Sequence, residues 1–451
     1  MMSSLPGRWT AGTGSERPVA RLLLAGVAAF VLGCAALAGQ TAANTGLAPD
    51  VLLLARIKVR MQENLRSQPN CTCVQTIQRS RRRAPARRFR ALDTLRLEVA
   101  LVDGKEMFSW PGAREFQVTD PREMAPTGAI GTGVFGLHAR AVFLSNSPTY
   151  TYRGQEDLDG RRCERFDYDV PLNLSAYQLR RGSIAATVAH HGSFWVDAAS
   201  LDLVRLVVIA GVIPPAIQLT AAETVMDYER LMVGGRDFLL PARAVTVLTH
   251  IDGDESRNET TFTGCRQYAG ESFLSFGPPP EETAVAETPR EVRIAPGLEL
   301  RLDLATPIVS GETAAGDPIR AILRREVRDL AGNVVPKGAV VAGRVIHLEL
   351  YPGRFPHWEV ALRLESIEFG GMRGDLRANL VRWVGYLGPG RKVMLAEELR
   401  EKAAGRPAVH LADVLESPGV GVFYVNGETL RIPRGSRMVW RTLGVAQPSE
   451  E

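Results

Sequence analysis

A chain of 451 residues with 45% hydrophobic and 23% charged side chains has the composition of a globular protein, and its length suggests two domains. The formal charge of +4, from 54 basic and 50 acidic groups, gives no global field of the kind that gathers nucleic acid, so Arg-rich segments must be judged locally.

The N-terminus carries Arg8, Arg17 and Arg21, then an uncharged run over 22–38 that ends in Ala36-Leu37-Ala38. This order reads as a secretory signal peptide over 1–38, cleaved after Ala38, and places the protein in the periplasm or outside the cell. Val31-Leu32-Gly33-Cys34 offers an alternative, a membrane anchor through a lipidated Cys34. Cleavage leaves Cys71, Cys73, Cys163 and Cys265, for which three pairings exist in an oxidising compartment. Cys71 and Cys73, two apart on an extended segment, cannot bridge each other comfortably. If the sheet curls so that its first and last strands approach, Cys73 pairs with Cys265. Buried free thiols are the other reading.

Leu54, Ile57, Met61 and Leu65 after Asp50 predict an amphipathic helix with an Asp N-cap, ending near Pro69. The period then falls to two. Strands are expected over 71–78, 95–101, 105–110, 163–170, 222–233, 237–248 and 257–268, with tight turns at Asp103-Gly104, Asp159-Gly160, Gly234-Gly235 and Asp252-Gly253. Around Asp197-Ala198-Ala199-Ser200 two apolar runs, 194–196 and 201–209, spell a hairpin, and beyond Arg205 both faces of the second run are apolar. A strand of that kind is expected to be covered on both sides. One face would pack on the core with Trp195, and Val204, Leu206, Val207 and Val208 are the candidate lining of a lipid cavity.

Residues 277–292 are rich in Pro and Glu and read as a linker between domains at 39–276 and 293–445. Strands follow over 298–304, 319–327, 340–350 and 358–369, with one short helix at 395–404. Val335-Pro336-Lys337-Gly338-Ala339 is echoed by Ile432-Pro433-Arg434-Gly435-Ser436, which suggests two related turns in one barrel. The fold class expected is mainly β: an N-terminal helix with a curved antiparallel half-barrel, then a second small β-barrel or sandwich.

Gly131-Thr132-Gly133-Val134-Phe135-Gly136 matches a dinucleotide fingerprint by letters, but no buried strand precedes it, so a loop entering a helix at 137–144 is expected. His190 and His191, adjacent on a strand, point to opposite faces, and no third ligand is spaced to join them. No metal, cofactor or local nucleophile motif is expected, and the protein is read as no enzyme; a hydrolase with a site assembled in space is the least favoured alternative. Arg79, Arg81, Arg82, Arg83, Arg87, Arg88 and Arg90 fall at a hairpin tip. Of these Arg81, Arg82, Arg83, Arg87 and Arg88 are the candidate site for an anion: lipid head groups, acidic polysaccharide or an acidic partner.

With the helix, the meander and Gly192-Ser193-Phe194-Trp195-Val196-Asp197 before Leu203-Val204-Arg205-Leu206, residues 50–276 resemble the periplasmic lipoprotein-carrier superfamily (LolA/RseB-like). The resemblance implies an incomplete barrel closed by helices, whose apolar concave face takes acyl chains or a lipidated partner. Gly316-Asp317-Pro318-Ile319 and Gly343-Arg344-Val345 give residues 297–350 a fainter likeness to the β-barrel of TrbI-type secretion-channel proteins. Together these imply an exported cell-envelope protein that binds a lipid or lipidated polypeptide, with a second domain for an envelope partner and peripheral membrane contact. An envelope-stress sensor is the alternative. The mature chain is expected to begin at Gly39, and intact mass of the isolated protein checks this; a diacylated Cys34 would replace it with a lipoprotein.

Overall fold

Period-two sequence becomes strand along most of the chain. The computed structural model describes residues 47–102, 105–113, 116, 118, 120–125, 127–267, 290–328, 332, 334–385, 387–396, 398 and 417–444. The expected signal peptide, Cys34, the Asp103-Gly104 turn, the linker over 277–289 and most of the helix at 395–404 lie outside them.

Helix α1 (Pro49–Ser67) places Asp50 in its first turn, not at the cap, and buries Ile57, Met61 and Leu65. The first sheet is built from β1 (Cys71–Arg82), β2 (Arg90–Val102), β3 (Lys105–Ser109), β4 (Thr149–Leu158), β5 (Arg161–Val170), β8 (His190–Asp197), β9 (Leu203–Ala210), β10 (Leu219–Val233), β11 (Arg236–His250) and β12 (Glu255–Gln267). A separate hairpin of β6 (Gln178–Arg181) and β7 (Ile184–Thr187) and a short helix α2 (Leu137–Phe143) complete this part. The strand order is β3-β2-β1-β12-β11-β10-β9-β8-β5-β4, a meander rearranged once so that β1 lies against β12. Cys73 and Cys265 thus sit on neighbouring strands inside the sheet and are disulfide-bonded, which requires no approach of the sheet's edges. Cys71 and Cys163 are buried free thiols.

One face of the sheet is core. Leu95, Leu97 and Val99 alternate inward, and Phe166, Phe194, Leu206 and Met226 meet them from across the curve, each 2% exposed or less. Phe194 stacks on Phe166 with centroids 5.4 Å apart and takes the edge of Phe143 from α2. Trp195 has the opposite parity: it lies half-buried on the outer face, donates to Glu156 Oε2 at 2.9 Å, and is covered by the Arg165 guanidinium. The expected burial of Trp195 therefore belongs to Phe194.

A buried carboxylate fixes α1 to the sheet. Asp202, 9% exposed, accepts from Arg60 Nε at 3.0 Å, Asn64 Nδ2 at 3.1 Å and Arg230 Nε at 2.7 Å.

The second sheet contains β13 (Arg290–Glu291), β14 (Glu299–Leu304), β16 (Pro318–Leu323), β19 (Val340–Tyr351), β20 (His357–Phe369), β21 (Met372–Asp375), β22 (Ala378–Trp383), β23 (Val393–Leu395), β24 (Val420–Asn426) and β26 (Arg437–Thr442). Small ladders pair β15 (Ile308–Val309) with β25 (Arg431–Ile432) and β17 (Val327–Arg328) with β18 (Val334–Val335). The main path runs β13-β21-β20-β19-β16-β14-β26-β22, and β24 joins β20. β24 comes back against β22 and β26 at Gly421, where a Cβ would lie 2.6 Å from Leu380 Cβ and 2.4 Å from the Trp440 ring. A side chain there would hold this nearly closed barrel open. The sequence echo is a structural one. Leu323 N donates to Ala339 O and Gly338 N to Leu323 O, while Leu304 N donates to Ser436 O and Gly435 N to Leu304 O, so two matching turns close on the ends of β16 and β14.

The two sheets belong to one compact unit, Leu53–Glu451. Past the end of β3, the edge of β2 is free, and Ala315 fills it: Arg96 N donates to Ala315 O at 2.7 Å and Ala315 N to Thr94 O at 2.9 Å. Gly316, at φ +106°, must be glycine, because a Cβ would fall 2.0 Å from Arg96 O. Arg96 also pairs with Asp317, which gives the Gly316-Asp317 motif a docking role.

Asp202→Ala should cost about 2 kcal/mol in denaturant unfolding, less than the roughly 3–5 kcal/mol of a wholly buried pair because both arginines reach solvent. Burial alone would raise the Asp202 carboxyl, but hydrogen bonds from Arg230 and Asn64 and the two guanidinium charges hold it below its usual value. Its contribution is therefore complete at neutral pH and lost as pH falls below about 4, which a pH series on both proteins measures.

Candidate functional site

The inward face of the first sheet does not stay apolar along its length. At core-facing positions near one end stand Gln75 in β1, Thr224 in β10, Thr246 in β11, and Asn258 and Thr260 in β12. This belt separates the main core from a smaller cluster of Leu179, Val188, Ala210, Ile217 and Ala222. A cavity of about 680 Å³ lies over it. Its facing wall is Asp120 to Arg122 and Ala129 to Val134 with Leu137, His138 and Ala141, and its third side is Ala176 to Arg180 with His190. Ile77, Ile130, Val134, Leu137, Leu179, Leu219 and Leu248 supply aliphatic surface to the same space.

The facing wall owes its shape to one buried acid. Glu106 on β3, 4% exposed, accepts from Gly133 N at 2.6 Å and Gly136 N at 2.9 Å, with Leu137 N at 3.4 Å. The fingerprint-like glycine run is thus an anion nest already filled by the protein's own carboxylate, at the start of α2. Burial raises the Glu106 carboxyl and the amide donors pull it back, with a net upward shift. Gly133, at φ +102°, also passes His138 so closely that a Cβ would lie 2.7 Å from Nε2.

Apart from Arg180, which donates to Gln178 Oε1 at the cavity edge, the polar groups of the cavity are uncharged or internally paired. His138 is pushed down to about 4 by burial and by the neighbouring His190, so it is neutral at pH 7. The His138 and His190 rings each meet Tyr177 edge-on, at 5.5 and 5.6 Å. Ser175 Oγ lies 2.6 Å from Val188 O, accepts from Tyr177 N at 3.1 Å and is 3.0 Å from Nδ1 of His190. Thr224 and Thr246 share a hydroxyl bond of 3.0 Å, and Asn258 donates to Ala129 O at 2.9 Å. Arg122 chelates Asp120 and donates to Gly182 O.

The cavity wall is tied to the second sheet. Arg79, 3% exposed, forms an ion pair with Asp93 and donates to Thr127 O. Thr127 Oγ1 in turn donates to Glu349 Oε2 at 2.6 Å. Glu349 stands directly opposite Glu359 across the β19–β20 ladder, with Tyr351 bonded to Glu349 and His347 Nε2 3.6 Å from it. Two buried carboxylates at one position of a ladder resist ionising together. Burial, then the charge of Glu349, pushes Glu359 up to about 7, and burial with Arg79 pushes His347 down to about 3.

The residues singled out from sequence lie elsewhere. Leu206 and Val208 are fully buried in the main core, while Val204 and Val207 are half-buried, and none of the four lines the cavity. A register shift opposite Val196 puts both Leu203 and Leu206 inward, and the outer face of β9 keeps partial solvent access. In the Arg-rich segment Arg79 is interior, Arg81 bonds Asp254 at 2.7 Å, and Arg82 pairs with Glu255 and covers Phe89. Arg83, Arg87 and Arg88 are exposed at the tip. The signal that finds the cavity is polar residues at core parity in β1, β10, β11 and β12.

Because the raised Glu359 favours its neutral form, the stability it adds is full below its ordinary value and lost as pH rises through about 7. Falling amide protection at Thr127 and Glu349, taken relative to the intrinsic exchange rate at each pH, is expected between pH 6 and 8, and Glu359→Gln should flatten that dependence. Constant protection across this range in the unaltered protein would contradict it.

No family model matches this chain, and no curated protein matches it. Among solved structures it is similar to a DUF1329 family protein from Desulfovibrio piger, at 12% identity and TM-score 0.25 over 48% of this chain and 92% of that one. It is also similar to a domain from Vibrio parahaemolyticus that bears the name of an outer membrane lipoprotein-sorting protein, at 10% identity and TM-score 0.28 over 48% and 93%. These likenesses are weak and carry no function across.

Proposed function

We propose that the protein is an exported cell-envelope binding protein, not an enzyme, that takes a lipid or the lipidated part of a polypeptide into the cavity over the Gln75–Thr224–Thr246–Asn258–Thr260 belt. One observation carries the reading: a space of about 680 Å³, within the roughly 300–1,000 Å³ of small-molecule sites, has aliphatic walls over an uncharged polar floor. That pairing suits an amphiphile, whose chain gains by leaving water while its head keeps hydrogen bonds. Export is the expectation of the N-terminal sequence, and a disulfide between Cys73 and Cys265 accords with it.

A second reading has one observation of its own. Thr127 links the cavity wall to Glu349 of the second sheet, so occupancy would be felt there, as a sensor of envelope lipid requires. Ligand-induced protection from amide exchange in β19 would favour the sensor; protection confined to the first sheet would favour simple carriage.

Ala141 and Ala176 are exposed and line the cavity, so each accepts bulk without loss of a hydrogen bond. Ala141→Trp and Ala176→Trp should each weaken binding of a fluorescent fatty acid at least about ten-fold while the Tm stays within a few degrees. A protein that never takes up the probe, or variants that bind it unchanged, would remove the lipid-binding reading.

A further inference from the structure

The loops at one end of the first sheet form a continuous rim. The β1–β2 tip meets the β11–β12 turn, where Arg81 and Ala84 N both bond Asp254. From that turn Ile251 N donates to Gln218 O, and Gly211 N donates to Ala189 O, joining the β9–β10 loop to the segment that carries β6 and β7. Large apolar side chains elsewhere on a surface are ordinary when single. Here five gather on one rim: Leu172, Leu174, Ile184, Val212 and Ile251, between 46% and 92% exposed.

The charge of this rim is mainly positive, the acids of the β11–β12 turn, Asp252 and the Arg81-bonded Asp254, being its exceptions. Segments 83–89, 171–189 and 211–218 contain Arg83, Arg87, Arg88, Arg180 and Arg181 and no acidic residue, and all five arginines are exposed. Asp252 and Asp169 are exposed acids nearby, and Asp254, already bonded to Arg81, and Asp120, already chelated by Arg122, lie within electrostatic reach of Arg83 and Arg180. Arg180 and Leu179 of β6, and Leu219 at the start of β10, reach from this end into the lining of the cavity.

We propose that this rim is a docking surface for an anionic lipid bilayer, with Leu172, Leu174, Ile184, Val212 and Ile251 entering the head-group region and the five arginines pairing with lipid phosphates. Apolar tips among guanidinium groups match the two components of such a surface, and neither component suffices alone. The docking stands whether or not the cavity takes lipid, and its arrangement would bring the cavity beside the bilayer.

The full chain is sedimented with phosphatidylglycerol-containing vesicles and with phosphatidylcholine vesicles at low and high salt. Binding to the anionic vesicles is expected, weakening with salt. Replacing the five apolar residues by Ser should reduce it at least about ten-fold. Arg83→Ser, Arg87→Ser and Arg88→Ser together should reduce it by roughly a hundred-fold, near five-fold for each charge, and flatten the salt dependence. All of these side chains are exposed, so an unchanged Tm confirms that the fold is retained. The Ala141→Trp variant, with a filled cavity, should sediment as the unaltered protein does, which separates this surface from the ligand site. Equal binding to neutral vesicles, full binding by the five-Ser variant, or capture by acidic polysaccharide with no vesicle binding would each overturn the proposal.

Discussion

A carboxylate taken into an apolar interior must be given hydrogen-bond donors or lose its charge, and Glu106 imposes that requirement on the centre of this fold. Its donors are backbone amides of Gly133, Gly136 and Leu137, groups that no other residue of the chain needs at the start of a helix. Meeting them fixes where α2 begins, and α2 then seats Phe143 against Phe194. The same amides hold the glycine segment at the distance from β1 and β12 that leaves the cavity open. A glycine run that resembles a cofactor loop by letters is thus a structural clamp, because the charge it would offer a phosphate is already met.

The second sheet bears on the same wall by a different chemistry. Asp93, Arg79, Thr127 and Glu349 form a line of ion pair and hydrogen bonds that passes from one sheet to the other. Removing its neighbours would leave Arg79 a buried cation, so the line is costly to break at its centre. Its far end is less secure: Glu349 faces Glu359, and the pair is easiest to keep buried while one of them holds a proton. The contact therefore joins a firm anchor to a titrating end. The backbone exchange between Ala315 and β2 has no such dependence and would hold the sheets together when the acid pair loosens.

Much of this architecture was legible because strand period is local. Leu95, Leu97 and Val99 declare their face without reference to any other strand, and the two Pro-basic-Gly turns declared their kinship before their matching bonds to Leu304 and Leu323 were seen. What failed was most of what depends on partners, the Cys73–Cys265 bridge excepted. The apolar run of β9 looked two-faced, yet a single shifted register near Val196 was enough to divide its residues between core and surface. Trp195 was expected on the face that covers the core, whereas its parity put it outside with Arg165 over the ring. The Arg-rich run looked like one site; Asp93 across the same hairpin, and Asp254 and Glu255, distant in sequence, claim three of its members. The anchoring role of Asp202 had no local signal at all, since its partners Arg60 and Arg230 come from α1 and β10.

The cavity belongs to neither category, for its signal was present and easily taken as noise. Gln75, Thr224, Thr246, Asn258 and Thr260 sit at positions where alternation calls for Val or Leu; the three threonines are good strand formers, and Asn258 is held by its bond to Ala129 O. Their effect appears only when four strands align them. Packing a second apolar layer on that belt would strip water from five polar side chains at a cost of about 1–3 kcal/mol for each left without a partner. The chain instead divides its apolar burial, with the large core around Phe166 and Phe194 on one side and the small cluster around Leu179 and Val188 on the other. A gap between two dry clusters is what remains, floored by groups that can hydrogen-bond and walled by Ile130, Val134 and Leu248. Within the belt Asn258 holds the facing wall through Ala129 O and Thr224 holds Thr246, so the polar floor is kept by bonds of its own and accords with the amphiphile proposed for the space.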